Sequence, residues 1–98
     1  MAYQYRITLE NITENHTDAQ YDRALTFDVV NHDNIPAIIE RVRSKGILPQ
    51  EEVPAFCLGL KLFGEIMMAH RKDPLFQELA PHFRDFMLKL KKGGAETR

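Results

Sequence analysis

From Tyr3 to Glu10, apolar and polar residues alternate. Tyr3, Tyr5, Ile7 and Leu9 fall on one side; Gln4, Arg6, Thr8 and Glu10 fall on the other. A period of two predicts a half-buried strand. Residues 13–20 are polar and read as a loop. Alternation resumes at residue 21, with Tyr21, Arg23, Leu25, Phe27 and Val29 on one face. Two neighbouring strands joined by a polar loop predict an antiparallel hairpin. The loop is too long for a tight turn, so the register stays open.

After residue 31 the period changes. His32-Asp33-Asn34-Ile35-Pro36 has the features of a helix start, because Asp33 or Asn34 can accept from the first orphan amides and proline tolerates the first turn. Ile35, Ile38, Ile39 and Val42 recur at helical spacing, and Gly46 is a natural stop. A second helix is expected to start between residues 50 and 53, with Glu51 and Glu52 in its first turn. Its body, residues 55–69, is apolar nearly all round; only Lys61 and Glu65 mark a polar stripe. Such a helix is central to a fold or covered by a partner. Gly59 and Gly64 weaken it unless a neighbour approaches closely. Asp73-Pro74 opens a short helix to about Leu79, and Pro81 is expected to break the chain there and begin a last helix over residues 81–91.

The reading is α+β: a two-stranded antiparallel β-hairpin followed by three to four helices packed on one face. Residues 1–92 form a single α+β domain, and residues 93–98 a flexible C-terminal tail. The expected core includes Leu9, Leu25 and Phe27 from the hairpin, and Ile35, Val42, Phe63, Met67, Leu79 and Phe86 from the helices.

Composition removes whole classes of function. The 98 residues carry 13 Lys+Arg and 14 Asp+Glu, a net charge of -1. Nucleic-acid binding normally demands a basic surface, so no nucleic-acid partner is expected. Cys57 is the lone cysteine, which excludes a disulfide-stapled module. The most apolar stretch, residues 53–69, is interrupted by Lys61 and Glu65, so no membrane partner is expected either. The expected location is the cytoplasm.

Candidate chemistry is sparse. His32, Asp33 and Asn34 form the densest polar cluster, at a strand-to-helix junction where a helix start could bind an anion or small molecule. The structural alternative is that Asp33 caps, Asn34 supports the turn and His32 bonds locally; a cap is the commoner use of such a pattern. His70 and His82 lack metal-ligand spacing, and Cys57 has no second cysteine nearby, so no metal or cofactor is expected. Cys57 sits in apolar surroundings that disfavour a reactive thiolate. No nucleophile with an adjacent base is recognisable, so no catalytic residue is assigned and an enzyme is not expected. Met67 and Met68, with Phe63 and Phe76, suit either plain core or an adaptable groove.

Tyr5-Arg6-Ile7-Thr8-Leu9 near the start, a length near 100 residues and His32-Asp33-Asn34-Ile35 at the junction carry a resemblance. The chain resembles a small bacterial family of unknown function marked by a His-Asp-Asn-Ile motif. The resemblance implies a bacterial cytoplasmic protein and brings no activity or cofactor. The functional expectation is a non-enzymatic protein-interaction module, able to self-associate as a homodimer or to bind a protein partner. Its alternative is a small-molecule or anion binder at His32-Asp33-Asn34.

Overall fold

A computed structural model describes residues 2–13 and 24–93 of the chain. The expected loop residues 14–20 (His16 among them), the strand positions Tyr21 and Arg23, and tail residues 94–98 lie outside the described residues. The order is β1 (Tyr3–Leu9), β2 (Leu25–Asn31), α1 (Ile35–Lys45), a 3-10 turn (Gln50–Glu52), α2 (Val53–Ala69), α3 (Pro74–Gln77) and α4 (Leu79–Lys91). An antiparallel hairpin followed by four helices makes the fold α+β. The chain groups into two units that divide between His32 and Asp33.

In the hairpin unit, Tyr5 pairs with Val29, Ile7 with Phe27 and Leu9 with Leu25. The intervening pairs are complementary polar ones. Arg6 meets Asp28, its Nε donating to Oδ1 at 2.8 Å and its Nη2 donating to Oδ2 at 3.2 Å. The Thr8 and Thr26 hydroxyls lie 3.3 Å apart. A one-residue slip would separate both polar pairs and reverse every side chain's face, so these pairs hold the register. The face assignment from alternation is therefore right, but its burial is not. Leu9, Leu25 and Phe27 are exposed, while Tyr5, Ile7 and Val29 are half-buried. Alternation identifies which side chains share a face; it does not supply the cover.

The helical unit has a core of Val42, Val53 and Cys57, with Ile38, Ile39, Ile47, Leu48 and Phe56 packed on it. α1 ends where expected: Gly46 adopts φ 67°, and its N–H donates to the Arg43 carbonyl at 3.2 Å. That left-handed conformation strains any residue with a Cβ. α2 and α4 meet through Phe56–Phe86 and Phe63–Phe83, with ring centroids 6.4 and 5.8 Å apart. Phe83 also passes Gly64, where an added Cβ would sit 3.5 Å from its ring. That is ordinary van der Waals contact, so close approach demands a glycine at neither Gly64 nor Gly59, whose Cβ position is open.

The last break differs from expectation. α3 stops at Gln77, Glu78 is a turn, and α4 already begins at Leu79, so Pro81 lies inside its first turn. Pro81 lacks the N–H that would bond four residues back, and its ring crowds the carbonyl there. Four residues back is Gln77, so the interruption falls there and not at the proline. Leu79, Phe63 and Phe86, expected in the core, are also exposed.

Candidate functional site

Asn34, not Asp33, caps α1. Its backbone is extended, at φ -80° and ψ 93°, and its Oδ1 accepts from the Ala37 N–H at 3.2 Å. The Asn34 carbonyl accepts from Ile38 N–H at 3.1 Å, starting the helical ladder. Asp33 turns instead to α2, where Lys61 Nζ donates to its Oδ2 at 2.9 Å. The Lys61 side chain is 20% exposed and that of Asp33 47%. Lys61 therefore does not mark a wet face of α2: a half-buried ammonium is held by the carboxylate that precedes α1. Glu65 is half-buried as well. His32 is exposed and ends the hairpin unit. The three predicted residues are adjacent in sequence, yet Asn34 serves its own helix and Asp33 serves another.

Lys61 also lines a groove between α1, α2 and α4. The groove encloses about 150 Å³ and is walled by Val42, Cys57, Leu60 and Leu90, among others. Arg41, Lys45, Lys61 and Lys91 stand around it, and none of its lining residues is acidic. Lys45 Nζ donates to the Lys91 carbonyl at 3.1 Å, placing a cation at the negative end of α4. Sequence reading did not find this group, because its four cations come from three helices. The one local signal was a lysine in a helix whose other residues, Glu65 apart, carry no charge.

Cys57 is buried in the wall of this groove. Burial pushes its thiol pKa up, and the nearby Lys61 charge only partly opposes that. A raised pKa keeps the thiol protonated and unreactive. Because the folded thiol holds its proton longer than the unfolded one, folding stability is unaffected below the ordinary thiol pKa and falls above it. Urea midpoints measured between about pH 8 and pH 10 should fall more steeply for wild type than for Cys57→Ala. Equal slopes would show that burial does not perturb this thiol.

A family model described as a domain of unknown function with solved structure, DUF3861, matches residues 3–92. The chain belongs to the DUF3861 family. A crystal structure of a protein of unknown function from Pectobacterium atrosepticum is similar to this DUF3861 chain, with a TM-score of 0.81 and 42% identity. The similarity covers 94% of this chain and 99% of that one. Among curated proteins, no match is found.

The other notable surface of this DUF3861 chain is the outer side of α2. Ala55, Gly59, Phe63 and Ile66 are exposed and recur at spacings of four, four and three, which places them on one helix face. Ala69 and the half-buried Leu62 extend that face. Phe63 also contacts Phe76 and Phe83 on its inner side, so it is both a packing residue and a surface one. Met67 is buried whereas Met68 is exposed, which divides the methionine pair between core and surface. Among the described residues, no group of three His, Cys, Asp or Glu is placed to hold a metal ion, and no helix is long and apolar enough to cross a membrane.

Proposed function

We propose that this chain is a non-enzymatic protein-interaction module of the bacterial cytoplasm that pairs with a second copy of itself through the outer face of α2. The observation that carries this reading is the exposure of Ala55, Gly59, Phe63 and Ile66 together, while both charges of α2, Lys61 and Glu65, are half-buried. An apolar helix face without charge gains by leaving water. It also meets its own copy without like-charge repulsion, as a two-fold interface requires. Gly59 has open space where a Cβ would stand, which allows a second helix to approach closely there. The raised pKa of buried Cys57 supports the non-enzymatic part. His32-Asp33-Asn34-Ile35 acts structurally in this reading: Asn34 starts α1, and Asp33 fixes Lys61 and so the rotation of α2.

Gly59→Glu tests the pairing. The site is open, so the glutamate fits the monomer, and replacing a mid-helix glycine favours the helix. Light scattering at micromolar concentration should give a dimer for wild type and a monomer for Gly59→Glu, with unchanged helical circular dichroism. A wild-type chain that stays monomeric, or a Gly59→Glu chain that stays dimeric, defeats the proposal.

A further inference from the structure

The groove between α1, α2 and α4 gathers positive charge against apolar walls on a side of α2 separate from Ala55, Gly59, Phe63 and Ile66. Two of its four cations are already engaged, Lys61 by Asp33 and Lys45 by the Lys91 carbonyl. Among the described residues, the side chains of Arg41 and Lys91 meet no acid. The chain as a whole has a net charge of -1, so this cluster is a local excess of cations and not a reflection of composition. Like charges near low-dielectric walls repel, and an anion seated among them is attracted more strongly than in open water. The volume, about 150 Å³, limits the occupant. An apolar cavity of about that size accepts a benzene ring, whereas a peptide segment needs more room.

We propose that this groove binds a small monoanion with a compact apolar body: an aromatic or short branched carboxylate. Its body lies against Val42, Cys57, Leu60 and Leu90. Its carboxylate faces the cationic side formed by Arg41 and Lys91. Lys61, neutralised by Asp33 at 2.9 Å, adds little to that field, so Arg41 and Lys91 carry the selection for an anion.

The test uses benzoate and its neutral counterpart benzyl alcohol as probes, followed by methyl and amide NMR shifts of the full chain. Benzoate should produce saturable shifts at Val42, Leu60 and Leu90, with an affinity of about millimolar expected for so few atoms. Benzyl alcohol should bind the same residues about tenfold more weakly. Arg41→Gln combined with Lys91→Gln, both at exposed positions, should weaken benzoate about tenfold and leave benzyl alcohol unchanged. Benzoate shifts that never saturate, equal binding of the two probes, or benzoate affinity indifferent to the double substitution would each overturn the proposal. Retained dispersion in the variant's spectrum separates a lost site from a lost fold.

Discussion

Val53→Asp should abolish cooperative folding of the helical unit. Val53 is 0% exposed, opens α2 directly after the 3-10 turn and packs in one cluster with Val42 and Cys57. An aspartate there keeps little of valine's apolar contact and places a carboxylate among aliphatic side chains. Burying an unpaired charge costs several kcal/mol even after relaxation, against a total stability of about 5–15 kcal/mol for a domain. The carboxylate lowers its cost by taking up a proton, but a protonated acid without a partner is still penalised. Urea titration followed by helical circular dichroism should show no sigmoidal transition for this variant. Val53→Ala, which leaves only a smaller side chain, should retain the transition with a lower midpoint. A Val53→Asp chain that unfolds at the wild-type midpoint would mean that this cluster does not hold the unit together.

Asp33→Ala is expected to lower stability by about 1–2 kcal/mol, between the values for exposed and fully buried ion pairs. The loss comes chiefly from Lys61. Its side chain is only 20% exposed, so removing Asp33 leaves a poorly hydrated ammonium beside Arg41 and Lys45 in the groove. Lys61→Met should cost less, because Asp33, at 47% exposed, can return to water. Combining the two substitutions should recover much of the Asp33→Ala loss, the signature of an ammonium that has lost its carboxylate at 2.9 Å and not of a lost cap. If Asp33→Ala and Lys61→Met are simply additive, the pair does not couple α1 to α2. Arg6 and Asp28 offer the contrast: both side chains are largely exposed, so removing either should affect hairpin register more than global stability.

Local patterns were legible where one turn or one strand decides the outcome. The two strands followed from alternation, the start of α1 from His32-Asp33-Asn34-Ile35-Pro36, and its end from Gly46. Each rests on interactions between residues near in sequence: an Asn34 side chain reaching Ala37, a glycine free to adopt a positive φ. The break before α4 was legible as to cause and misplaced as to position, because the effect of Pro81 is exerted four residues upstream. The helix start leaves Asp33 and Asn34 as rival acceptors; Asn34 is the cap, and the reading of Asp33 as the cap is overturned because the partner that claims Asp33 lies 28 residues away.

The hydrophobic sequence of α2 marked it as exceptional, and the sequence alone established that it carries more apolar surface than one side can use. Only the tertiary structure decided which side is buried. A helix apolar nearly all round has little hydrophobic preference for one rotation, so its few specific contacts weigh heavily in the choice. Asp33 draws Lys61 inward, and Phe83 packs over Gly64. Ala55, Gly59, Phe63 and Ile66 are then left outside. The same rotation sets Lys61 beside Arg41, Lys45 and Lys91 and so creates a cationic groove. A sequence specifies each of those charges, but their convergence depends on how three helices pack.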